Sequence, residues 1–104
     1  MDSHYDLTTQ DGMKKASEWF DSYGWLISPL VWAIKRLLPP TAAEQARAAG
    51  KLIEVGKNHG VKDMTIYMND DAYGKLKGDI KNEDIKVTAK AGSNRQMKIT
   101  VNYS

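Results

Sequence analysis

TAAEQARAAGKLIEVGKNHG, residues 41–60, carries a start signal, one apolar face and a stop signal. Thr41 is placed to cap the first free amides of a helix, and Glu44, three residues on, is placed to reach back to it, which is the capping-box spacing. Gly60 can adopt the left-handed conformation that closes a helix. Between them Ala42, Ala46, Ala49 and Ile53 fall on one stripe at helical period, flanked by Gly50 and Gly56. Most of that stripe is small, so it suits close approach to a flat partner such as a sheet.

The sequence downstream changes period to two. Met64, Ile66 and Met68 alternate with Thr65 and Tyr67; Ile85, Val87, Ala89 and Ala91 with Lys86, Thr88 and Lys90; Met97, Ile99, Val101 and Tyr103 with Lys98, Thr100 and Asn102. One apolar face at period two is the pattern of a half-buried strand. Gly92-Ser93-Asn94 is a tight-turn sequence, so the last two strands are expected to form a hairpin. Residues 73–80 are a weaker strand candidate, and Asn69-Asp70-Asp71 reads as a turn or a short helical cap.

Upstream, a first helix is expected from about Asp11, capped by Thr8 or Thr9, with Met13, Ala16, Phe20 and Tyr23 in one stripe, Trp19 beside it and Gly24 as its stop. Residues 1–8 are polar and expected to be loose. Ser28-Pro29 reads as cap and first position of another helix. Its apolar residues 30, 31, 34, 37 and 38 span an arc of about 120° at 100° per residue. Pro39-Pro40 ends it and hands over to Thr41. The expected architecture over residues 1–104 is a single α+β domain: two or three N-terminal helices, then a three- to four-stranded antiparallel β-meander, in two layers. The helical half runs over residues 11–60 and the β half over 61–104.

At 104 residues, 41% hydrophobic and 27% charged, the composition is that of an ordinary small soluble protein. There is no cysteine, which excludes disulfides and thiolate metal sites and fits a cytoplasmic setting. The N-terminal residues are acidic and polar, unlike a secretory signal. The most apolar window, residues 25–34, is well short of the roughly 20 residues of a membrane span. A net charge of +2 is too small to imply nucleic acid by itself. Its distribution says more. Residues 1–34 hold five acids against two lysines, whereas residues 85–104 hold Lys86, Lys90, Arg95 and Lys98 and no acid.

No catalytic, cofactor or metal motif assembles. Residues 50–58, GKLIEVGKN, resemble a phosphate loop only superficially: one residue too many separates the glycines, Asn58 stands where a hydroxyl is needed, and the amides belong to a helix. His4 lies in the N-terminal tail, and His59 sits at a helix C-terminus, where a cation meets the dipole favourably. The acids at 70–71 and 83–84 lack the regular ligand pattern of a calcium loop and read as solvated turns.

Two binding surfaces remain. In residues 25–38, WLISPLVWAIKRLL, Trp32 lies opposite the core stripe, between Lys35 and Arg36. An exposed tryptophan beside cations suits a protein-interface anchor or a membrane-interface anchor. The expected function is therefore a small non-enzymatic binding or regulatory protein. It would dock a protein partner, or a second copy of itself, through Trp25, Leu26, Trp32, Lys35 and Arg36. The alternative is a peripheral binder of anionic membrane or nucleic acid through the basic sheet face. There Tyr67 would stack on a base while Lys86, Lys90 and Lys98 track phosphates.

Overall fold

The computed structural model describes residues 3–19, 39–78 and 85–103. Their element order is β1 (His4–Asp6), α1 (Gln10–Ser17), α2 (Ala42–Asn58), β2 (Asp63–Asn69), α3 (Asp70–Lys77), β3 (Ile85–Ala91) and β4 (Gln96–Tyr103). The class is α+β, with one four-stranded sheet in the order β1-β2-β4-β3.

The helix at 41–60 is built on its end signals. Thr41 Oγ1 accepts from Glu44 N at 3.2 Å, and Glu44 Oε1 accepts from Thr41 N at 3.0 Å. At the other end Gly60 adopts φ 70°, Gly60 N donates to Lys57 O and Val61 N donates to Gly56 O. This paired arrangement satisfies two terminal carbonyls and needs a left-handed residue that glycine supplies without strain. The buried face of α2 is wider than one stripe: Gln45, Ala46, Ala48, Ala49, Leu52, Ile53, Val55 and Gly56 are all buried. The extra width follows from its neighbours, because α2 packs against α1 and α3 as well as against β2.

Three expectations are corrected. Of the tail expected to be loose at residues 1–8, His4–Asp6 pair in parallel with Thr65–Tyr67, and Tyr5 and Leu7 are buried; residues 1–2 lie outside the described residues. Within the expected strand at 73–80, residues 73–77 are helical, and residues 79–80 lie outside the described residues. Asp70–Lys77 is helix α3, whose buried residues Ala72 and Leu76 lie four apart on one face. The sheet is mixed, since β1 pairs in parallel with β2, and it is not a meander, since β4 lies between β2 and β3. The expected β3–β4 hairpin forms. Its turn places Asn94 at φ 55° and Arg95 at φ 61°, with Gln96 N donating to Ser93 O at 3.1 Å. Two successive left-handed residues are the signature of the turn that matches strand twist. Arginine is an unusual occupant, and it is held from two sides. Its carbonyl accepts from Asp70 N at 2.9 Å, and its guanidinium lies 3.4 Å from Asp70 and 3.2 Å from Asp71.

The core lies between the helices and one sheet face. Met64, Ile66 and Met68 of β2 and Ile99 and Val101 of β4 are fully buried beside Leu52, Leu76, Met13 and Leu7. Tyr103 closes one end: its hydroxyl donates to Ile53 O at 2.8 Å, over the α2 backbone at Gly56. Loss of water around the phenol pushes its pKa up to about 12.

Two glycines of α2 are predicted to respond oppositely to alanine. A methyl at Gly50 would meet only Leu76 Cδ1 at 3.8 Å, so Gly50→Ala should stabilise by up to about 1 kcal/mol through helix propensity. A methyl at Gly56 would lie 2.6 Å from the Tyr103 hydroxyl and 2.8 Å from Met64 Cε, so Gly56→Ala should destabilise by about 1–3 kcal/mol. Urea denaturation midpoints moving in opposite directions would bear this out. Stability is also expected to fall with rising pH above about 10, where an unfolded tyrosine ionises, until the folded-state value near 12 is passed. The folded phenol holds its proton while the unfolded one releases it, so the slope is negative in that window. Tyr103→Phe should flatten it in denaturation curves taken between pH 9 and 12.

Candidate anion-binding face

Period two fixes which side chains share the outer face of the sheet, and the strand register fixes which of them are neighbours. Tyr67 stands directly across from Lys98 on β4, and Lys98 directly across from Lys90 on β3. On the other side Tyr67 is registered with Asp6 of β1. One row thus reads Asp6, Tyr67, Lys98, Lys90. The next reads His4, Thr65, Thr100, Thr88, and the third Asp63, Asn102, Lys86. The expected site residues Tyr67, Lys86, Lys90 and Lys98 therefore share one face. Three of them form a single row, and Lys86 stands about 13 Å along β3 from Lys90. The second expected set, Trp25, Leu26, Trp32, Lys35 and Arg36, lies outside the described residues.

Lys86, Lys90 and Lys98 are exposed, whereas Tyr67 is half-buried with its ring between two hollows. Toward the hairpin, a hollow of about 250 Å³ is lined by Tyr67, Lys90, Ala91, Gly92, Gln96 and Lys98. Toward the β1 edge, one of about 300 Å³ includes His4, Asp6, Asp11 and Lys15. The two differ in character. The first has cations and no carboxylate. In the second, Asp6 is engaged by the backbone and hydroxyl of Thr8, and the Lys15 ammonium lies 5.6 Å from the centre of the Tyr5 ring. Of the two, only the hairpin hollow joins an aromatic ring to cations with no carboxylate beside them, the pairing that holds a phosphate next to a stacked base.

The acids at Asp70 and Asp71, weighed above as half of a cation site, face Arg95. Residues 83–84 lie outside the described residues, and no group of three metal-ligating side chains occurs among those described. His59 caps α2, with its ring Nδ1–H donating to Val55 O at 2.9 Å and its edge against Trp19 at 5.6 Å between ring centres. Gln96 is not singled out by the sequence: its polarity is ordinary, and it lines the hairpin hollow two residues from Lys98 on the same side of β4.

No protein-family model matches the chain, and comparison with curated proteins and with solved structures gives no significant match. Among the described residues no helix is long and apolar enough to cross a membrane.

Proposed function

We propose that this chain is a small non-enzymatic binding protein whose outer sheet face takes a single-stranded nucleic acid. The observation that carries the reading is the Tyr67–Lys98–Lys90 row beside the hollow at the hairpin. A nucleotide placed there stacks its base on Tyr67 while its phosphates meet the ammonium groups of Lys98 and Lys90. Thr65, Thr88 and Thr100 offer hydroxyls along the next row, and Lys86 extends the positive track along β3. Strand spacings near 5 Å across the sheet keep Tyr67 and Lys90 about 10 Å apart, within reach of one short oligonucleotide. The face offers stacking and charge without a base-specific set of donors and acceptors, so binding is expected to tolerate sequence and depend on salt.

Protein docking through Trp25, Leu26, Trp32, Lys35 and Arg36 is the second reading. It is supported by the sequence pattern, an aromatic opposite the core stripe with two adjacent cations.

Fluorescence anisotropy with labelled single-stranded RNA and DNA over a salt series tests the first reading. Tyr67→Ala should weaken binding about 5- to 150-fold, the loss of one base stack. Lys90→Ala and Lys98→Ala should each lower the slope of log affinity against log salt by about 0.7. Salt-independent affinity, or wild-type affinity in all three variants, would sink it. For the second reading, Trp32→Ala should abolish self-association in light scattering, or capture of a protein partner. Unchanged behaviour would remove Trp32 from the docking surface.

A further inference from the structure

The sheet ends in two edges of unequal length. β1 is three residues long, and β3 is seven, Ile85–Ala91, with no described strand on its far side. The direction of the β3 backbone groups follows from the ladder. Gly92 N donates to Gln96 O at 2.7 Å, so pairing from the hairpin inward continues at 90/98, 88/100 and 86/102. The odd-numbered residues of β4 bond the other way, as Tyr103 N donating to Lys62 O at 3.0 Å shows. The amides and carbonyls of Ile85, Val87 and Ala89 are therefore directed away from β4, along the edge.

The side chains of this edge are sorted by chemistry. Lys86, Thr88 and Lys90 are exposed on the outer face. Ile85, Val87 and Ala89 are only half-buried on the inner face, whereas Ile99 and Val101 one strand away are fully buried. Cover over the core thins at the last strand. An added strand would gain backbone hydrogen bonds, an apolar ledge on one face and two ammonium groups on the other.

We propose that the β3 edge docks an extended acidic peptide as a fifth strand, with carboxylates beside Lys86 and Lys90 and apolar residues beside Ile85, Val87 and Ala89. Strand addition uses the backbone for affinity and alternate side chains for choice of partner. The charge pattern selects against a second copy of this chain. Antiparallel self-pairing centred on Thr88 sets Lys86 opposite Lys90 twice, and in-register parallel pairing sets each lysine beside its own counterpart. Like charges directly opposite are destabilising. The same lysines that keep the edge from self-association, as edge lysines commonly do, favour an acidic strand. This site goes beyond the nucleic-acid reading. It lies two strands from Tyr67 and does not use it.

The test uses the full chain and fluorescein-labelled nine-residue peptides, read by anisotropy. One alternates Val and Glu. The second alternates Val and Lys. The third is the Val/Glu peptide with two successive central amides N-methylated, which blocks both strand edges. The Val/Glu peptide should bind, with the other two at least about ten-fold weaker, and NMR hydrogen exchange at the Val87 and Ala89 amides should slow at least about ten-fold in the complex. The surface double variant Lys86→Glu/Lys90→Glu should invert the preference toward the Val/Lys peptide, and Tyr67→Ala should leave peptide affinity within about two-fold. Absence of binding, equal binding of the N-methylated peptide, unchanged exchange at Val87 and Ala89, or loss of peptide affinity in Tyr67→Ala would each overturn the proposal.

Discussion

The parallel pairing of β1 with β2 is short, yet the whole arrangement depends on it. Thr65 N donates to Ser3 O at 2.6 Å and Leu7 N to Tyr67 O at 2.8 Å. Parallel neighbours cannot be joined by a hairpin; they need a crossover. Here α1 and α2 lie on that crossover, both packed on the inner face. Placing them together leaves the outer face of β2, β4 and β3 to polar side chains, the threonines and lysines of the candidate site. The candidate face and the hydrophobic core are thus two results of one topological choice.

The crossover is held close by small residues. At the β1 end, the Gly12 backbone passes so near the Asp6 carbonyl that a methyl there would collide with it. Thr9 caps α1 through Gly12 N and also donates to Asp6 O. At the other end of the helical layer, the fully buried Gln45 spans two backbone groups. Its Nε2 donates to Pro40 O at 3.1 Å, and its Oε1 accepts from Asn69 N at 2.8 Å. One side chain therefore links the entry of α2 to the junction between β2 and α3. A buried amide is stabilising only when its groups are met, and both of Gln45's polar ends are.

The legible parts of the fold were those whose signal is local and long. The capping pair Thr41 and Glu44, the terminating Gly60 and four alternating apolar positions in β4 each carry their reading within one element. β1 carried the same alternation, Tyr5 and Leu7 inward, but three residues are too few to stand out from a polar terminus. In α3 only Ala72 and Leu76 are fully buried, and Gly74 between them weakens the helical pattern. Strand order was hidden because β2–β4 pairing is non-local. A trace of it was present: Ile99 and Val101 are bulkier than Ala89 and Ala91, as befits a central strand beside an edge. For the candidate face, period two was enough to put Tyr67, Lys86, Lys90 and Lys98 on one side. It could not say that Lys98 stands between Tyr67 and Lys90, which depends on the non-local pairing of β4 with β2.

The separation in sequence between β1 and β2 also bears on how the chain is made. Residues 3–7 leave the ribosome some sixty residues ahead of the strand they pair with. Until β2 emerges, Tyr5 and Leu7 have no sheet to enter, and α1 has no surface on which to bury Met13. The C-terminal hairpin, by contrast, closes over a handful of residues. Loop-closure entropy makes the distant contact the slower one. Residues 3–7 are consequently among the last to be secured, and Tyr5 and Leu7 stay uncovered until β2 has been made.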